Sequence, residues 1–174
     1  WLWAGPLCSR LLAWAGCEVT KLESLQRPDG ARQGSPAFFD FLNSGKRHLA
    51  LDFSTPEGID QLRQALCQAD IVIEGSRPRA LRQLGIHAEQ LLDANPGMTW
   101  VSITGYGREE PRANWIAYGD DAAVAAGLSA AVHASTGQWL MCGDAIADPF
   151  TGLHAAVAAL GSLGFVIVVT ERGG

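Results

Sequence analysis

The chain has 174 residues, 48 % of them hydrophobic and 18 % charged, enough for the core of one ordinary domain and too apolar for wholesale disorder. A net charge of −5 argues against nucleic acid as the natural partner, while leaving room for a small basic pocket. No apolar run reaches the length of a membrane span, the opening WLWAGPLCSR lacks the form of a signal peptide, and four cysteines without a C-x-x-C pair read as free thiols in a reducing cytoplasm.

The first predicted element is a helix in GPLCSRLLAWAGC, opened near Pro6 and closed by Gly16, with Leu7, Leu11, Leu12 and Trp14 as its apolar stripe. CEVTKLE alternates and is rich in β-formers, so it reads as a short strand; residues 24–36 are turn-formers and charge, hence a surface loop. AFFDFLNSG is a short helix ended around Asn43 to Gly45, and HLALDF is a strand. Ser54 or Thr55 caps the next helix, which carries Ile59, Leu62 and Leu66 on one face. DIVIEG has the form of a strand buried on both faces. Helices around RALRQLG and HAEQLLDAN follow, then the strand MTWVSITG. Residues 105–118 form a polar loop after a strand end, and DDAAVAAGLSAAV and DPFTGLHAAVAALGSL are Ala-rich helices.

Strands and helices in steady alternation predict an α/β fold, a parallel sheet with right-handed crossovers and flanking helices. No repeat or linker divides the chain, so residues 1–164 are expected to form one domain, followed by an atypical tail over 165–174. A start at Trp1 without methionine and an ending in ERGG lead to the expectation of a fragment.

Within CGDAIADPFTG the acids Asp144 and Asp148 lie four apart, the second directly before a proline. One reading makes Asp148 a helix cap with Pro149 at the first helical position. The other makes it a nucleophile: a helix N-terminus keeps a carboxylate ionised, and an ionised carboxylate can attack an activated acyl carbon. Thr151 and Gly152 would keep bulk low where the acyl group lies. Local physics permits the nucleophile without requiring it.

Other candidates are weaker. In YGDDAAV one of Asp120 and Asp121 is expected to cap a helix, and no metal pattern surrounds them, since His133 and His154 lie on separate segments at no ligand spacing. Lys46 and Arg47 precede a strand, and Arg77, Arg79 and Arg82 follow one; either group reads as solvated surface or as attraction for an anionic ligand at strand ends. No G-x-G-x-x-G follows a strand and there is no P-loop, which leaves a plain dinucleotide domain unsupported.

The order of segments carries more. AGPLCSRLLAWAGCEVTKLE, FFDFLNSGKRHLALDF, ADIVIEGSRPRALRQLGI, NPGMTWVSITGYG and DPFTGLHAAVAAL, in that order over residues 3 to about 163, resemble the class III CoA-transferases, the family of formyl-CoA transferase, carnitine CoA-transferase and α-methylacyl-CoA racemase. The resemblance implies a Rossmann-like domain that binds coenzyme A, with two chains interlocked as a homodimer in the full-length family. It implies that Asp148, four residues before Gly152, is the catalytic aspartate rather than Asp144. The implied substrates are an acyl-CoA and a carboxylic acid, with no metal, nucleic acid or membrane.

CoA contacts carry over by position. Ala4 lies beside the opening Gly-Pro, with Trp3 where a transferase has glutamine. Leu51, Asp52, Phe53 and Ser54 follow the strand after Lys46 and Arg47. Gly75, Ser76 and Arg77 stand in place of an Asn-Phe-x-Pro segment whose Asn and Phe are absent here and whose proline is Pro78. Ala117, Tyr118, Gly119 and Asp120 match the loop near the thioester. Racemase members place a histidine acid/base where Tyr118 stands, and a tyrosine is a poor base at neutral pH, so transfer is favoured over racemisation. The family's first strand, small domain and glycine loop have no counterpart, and GFVIVVTERGG does not match its continuation. An acyl-CoA racemase and a non-catalytic CoA-binding remnant are the rival readings.

Overall fold

Prolines and hydroxyls punctuate this chain, and the folded elements follow them. The computed structural model describes residues 3–164. The expected tail over 165–174 lies outside the described residues. Helix α1 spans Ala4–Trp14, strand β1 Thr20–Ser24, a 3-10 turn Gly30–Gln33, α2 Pro36–Asn43 and β2 Arg47–Leu51. Then come α3 (Pro56–Cys67), β3 (Ile71–Glu74), α4 (Pro78–Gln83), α5 (Ala88–Ala94), β4 (Thr99–Ser102), α6 (Gly119–Ala125), α7 (Leu128–Thr136) and α8 (Ala147–Ser162). Helices α2, α3 and α4 all open on a proline, where its fixed φ suits the helix and its missing N–H has no intrahelical partner to lose. Thr55, not Ser54, caps α3: its hydroxyl accepts the Gly58 N–H at 3.1 Å.

The four described strands pair in parallel, as the alternation of elements requires, but they form two pairs rather than one continuous sheet. β1 pairs with β2 from Thr20↔Arg47 to Ser24↔Leu51, and β3 with β4 from Ile71↔Thr99 to Glu74↔Ser102. Period-two alternation sends the two faces of these strands into separate cores. Val72, Leu51 and Trp100 join Leu62 and Leu66 of α3, Ile86 and Met98 on one side. Ile71, Ile73 and Val101 point the other way, onto Cys8 and Leu12 of α1 and Ala156 and Ala159 of α8. Each core therefore touches both strand pairs or the helices behind them, giving a helix–strand–helix layering. Burying a leucine such as Leu62 or Leu66 stabilises such a core by about 1.5–3 kcal/mol.

Helix α1 opens at Ala4, two residues ahead of Pro6, because Ala4 and Gly5 are buried in its first turn. The helix expected over 120–132 is two helices, broken where Gly127 takes φ 90°, a left-handed conformation that ends α6 and starts α7. The most extensive helix contact joins α1 to α8, and it brings the N-terminal turn of one against the other.

Candidate active site

Helix α8 begins at Ala147, with Ile146 at the cap position and no side-chain cap bond. Asp148 is thus the second helical residue and not the cap, so the capping reading fails. Its N–H donates to the Ala145 carbonyl at 2.8 Å and its side chain is half-buried. Burial raises its pKa above the ordinary aspartate value, and the Asp120 charge raises it further. The helix N-terminus was expected to keep this carboxylate acidic, and burial overrides it. Asp144 is exposed.

The segment ahead of α8 is held by α6. Ala145 adopts φ 48°, the one positive φ outside glycine among the described residues. Its N–H donates to Asp120 Oδ1 at 2.9 Å. Gly119 presses on the same residue: a Cβ there would lie 2.3 Å from the Ala145 carbonyl oxygen. Asp121 accepts the Tyr118 N–H at 3.3 Å, so this neighbour, rather than Asp120, serves the start of α6. Ala117 lies against Gly105, closing the base of loop 105–118, and Tyr118 is exposed.

On the opposite flank α1 supplies Ala4. A Cβ at Gly152 would come within 2.9 Å of the Ala4 carbonyl oxygen and 3.0 Å of Leu7 Cβ. Gly152 was expected to leave room for an acyl group; it instead lets α1 and α8 touch. Lys46 braces this turn. Its ammonium is buried and donates to the Pro6 carbonyl (2.9 Å), Ser9 Oγ (2.8 Å) and Asn43 Oδ1 (3.3 Å). Burial first, and then the nearby Lys21 and Arg10 charges, pull its pKa down to about 8. Lys46 is therefore a structural tie rather than a surface cation awaiting phosphate, and Arg47 pairs with Glu18 at 2.5 Å.

The remaining predicted contacts sit at strand ends. Leu51 is buried at the end of β2. Asp52 Oδ1 accepts both the N–H (2.9 Å) and hydroxyl (2.5 Å) of Ser54, and also a bond from Gln26. The Ser54 bonds lower the Asp52 pKa. Phe53 packs on the core behind β2, and Gly75 is exposed. Ser76 donates to Glu74 Oε1 at 2.7 Å, and Arg77 occupies the cap position of α4. Arg82 pairs with Glu89, while Arg77 and Arg79 have no carboxylate partner among the described residues.

Sequence reading missed Glu74, buried at the end of β3. Its carboxylate accepts from Ser76, from Trp100 Nε1 at 3.1 Å and from Arg108 at 3.4 Å, joining the loops after β3 and β4. A charge inside the apolar run DIVIEG was the available signal. Beside the carboxyl end of β4 lies an open groove of about 550 Å³, lined by residues that include Ile103, Ala123, Ile146, Phe150 and Thr151. A smaller cavity of about 160 Å³ lies between Glu23 and His48. The structure brings Asp148, Gly119 and Asp120 together through Ala145, and sets Ala4 one helical turn beyond Asp148. Residues 51–54 and 75–77 line neither of these two cavities.

Comparison with known proteins identifies the family. The family model described as CoA-transferase family III matches residues 1–173. A succinate–glutarate CoA-transferase from Agrobacterium fabrum is 31 % identical over 173 residues, covering 92 % of this chain and 43 % of the relative. A formyl-CoA:oxalate CoA-transferase from Escherichia coli is 30 % identical over 167 residues, covering 92 % of this chain and 40 % of the relative. Among solved structures, a CAIB/BAIF family protein from Brucella suis superposes with TM-score 0.74 at 30 % identity over 93 % of this chain and 46 % of its own. A hypothetical protein from Mycobacterium tuberculosis gives TM-score 0.77 at 27 % identity, over 91 % and 46 %. The chain spans about two fifths of the length of the curated relatives it matches. With the family model matching residues 1–173, this chain belongs to CoA-transferase family III.

Proposed function

We propose that residues 1–164 are the CoA-binding, nucleophile-bearing part of an enzyme that moves CoA from an acyl-CoA thioester to a carboxylic acid, with Asp148 as the covalent nucleophile. The observation that carries the reading is the setting of Asp148: in the first turn of α8, half-buried, released from capping, on a backbone fixed by Ala145. The names of the curated relatives, both CoA-transferases, support the reaction class.

The ionised Asp148 carboxylate attacks the thioester carbonyl of the donor; the C–S bond breaks and CoA thiolate leaves a mixed anhydride. The thiolate then attacks the aspartyl carbonyl, releasing the donor acid and forming an aspartyl-CoA thioester. The acceptor carboxylate attacks that carbonyl and expels the thiolate, giving a second anhydride. Attack of the thiolate on the acceptor's acyl carbon yields the new acyl-CoA and restores the Asp148 carboxylate. Burial, by raising proton affinity, also makes the ionised carboxylate a stronger nucleophile. The loops holding 51–54, 75–77 and 117–120 follow strands or lead into helices, where α/β folds bind ligands, and serve CoA in this reading. Four free cysteines fit a cytoplasmic setting, and a homodimer belongs to the same reading.

Intact mass spectrometry after incubation with several acyl-CoAs, with hydroxylamine trapping, tests it. An adduct formed by the wild type and abolished by Asp148→Ala supports transfer. Solvent deuterium incorporated at Cα of the acyl group without an adduct would mark a racemase. CoA binding without either would mark a non-catalytic module.

A further inference from the structure

The turn before α8 is costly by itself. A residue with a Cβ in the left-handed region loses about 1–2 kcal/mol relative to the right-handed one, so Ala145 at φ 48° must be held from outside. Two neighbours on α6 hold it. Asp120 Oδ1 accepts its N–H at 2.9 Å, and Gly119, with no Cβ, lets the α6 backbone close onto its carbonyl. That same carbonyl accepts the Asp148 N–H at 2.8 Å. A continuous path therefore runs from the Asp120 side chain, through a strained peptide, to the backbone of Asp148.

We infer that Asp120 is a positioning residue for Asp148: its carboxylate pins the Ala145 turn, and the turn sets where the first residues of α8 begin. The inference rests on the reading of Asp148 as nucleophile. It also gives the Asp120 carboxylate the Ala145 N–H as its partner, in place of the CoA contact expected for that residue. The charge of Asp120 has a second effect, since after burial it is the next cause of the raised proton affinity of Asp148. α6 contributes Asp120, and α1 meets α8 at Gly152 through Ala4 and Leu7, neither of them titratable. On α8 itself, His154 is turned to the Phe150 carbonyl at 2.8 Å.

Two substitutions separate anchor from charge. Asp120→Asn keeps an acceptor oxygen for Ala145 and removes the charge; Asp120→Ala removes both. In the purified 174-residue chain, carbon-13 NMR of labelled aspartate follows the Asp148 titration, and hydrogen exchange follows the Ala145 amide. Asn should preserve Ala145 protection while moving the Asp148 titration, and the pH profile of adduct formation, to lower pH. Ala should lose the protection and slow adduct formation about tenfold or more at unchanged KM for the acyl-CoA, as expected when a reacting group is misplaced. Asp144→Asn, at an exposed acid on the same segment, should change neither.

The inference is overturned if Ala145 protection and the Asp148 titration stay at wild-type values in Asp120→Ala, or if Asp144→Asn moves that titration equally. A raised KM at unchanged kcat would return Asp120 to the CoA contacts and overturn it too. If the wild type forms no Asp148-dependent adduct, the nucleophile reading fails by itself, while amide protection and titration still decide whether Asp120 holds Asp148.

Discussion

Replacing Gly152 by alanine should destabilise the protein, although alanine is the better helix former. In an unencumbered helix interior the change from glycine gains about 0.8–1 kcal/mol. At Gly152 the new Cβ would stand 2.9 Å from the Ala4 carbonyl oxygen and 3.0 Å from Leu7 Cβ. The first of these is backbone, held in a helical turn that Lys46 braces at Pro6, so it cannot swing aside as a side-chain end would. Overpacking of this kind costs about 1–3 kcal/mol. The net expectation is a loss of up to about 2 kcal/mol.

Gly161 supplies the control within the same helix. A Cβ there meets nothing within 4 Å, so Gly161→Ala should stabilise by up to about 1 kcal/mol, less if the last turn frays. The gap between the two variants, about 1–3 kcal/mol, isolates the α1–α8 contact from helix propensity. Urea unfolding followed by tryptophan fluorescence measures both, with each kcal/mol also moving Tm by about 2–4 °C at this chain length. Gly152→Ala matching or exceeding the stability of Gly161→Ala would refute the argument, because the two helices would then not depend on the missing Cβ.

Two further outcomes follow from buried chemistry. Glu23 accepts from Arg32 at 2.7 and 3.1 Å, from the Asp29 N–H at 3.0 Å and from Lys21 at 3.0 Å; the Arg32 bonds above all hold its pKa well below the usual glutamate range. A carboxylate so depressed contributes stability above its unfolded value of 4.5 and loses it as pH falls below that, so Glu23→Gln should flatten the acid limb of an unfolding-versus-pH curve. An unchanged limb would show that these bonds add nothing in solution. Cys67 and Cys142 are exposed while Cys8 is fully buried, with burial pushing its thiol up to about 11, so alkylation at neutral pH should label the first two quickly and Cys8 only on unfolding. Early labelling of Cys8, read by peptide mass spectrometry, would contradict the α1–α8 core.

Sequence by itself determined the element types and their parallel arrangement, because period-two strands, proline-opened helices and short connections are local matters. It placed β3 and β4 through DIVIEG and MTWVSITG, while local pattern left Asp148 open between cap and nucleophile and only the family resemblance favoured it over Asp144. Tertiary structure decided what those residues do. Whether Asp148 caps a helix depends on where α8 starts, and the Ala145 turn held by Asp120 and Gly119 sets that two residues earlier than Asp-Pro would indicate. Whether Lys46 is surface or interior depends on α1 folding across it, and whether Gly152 makes room for a ligand or for a helix depends on Ala4 lying 2.9 Å from its missing Cβ. Each of these partners lies at least 25 residues away in sequence, and only the packed chain brings them within reach.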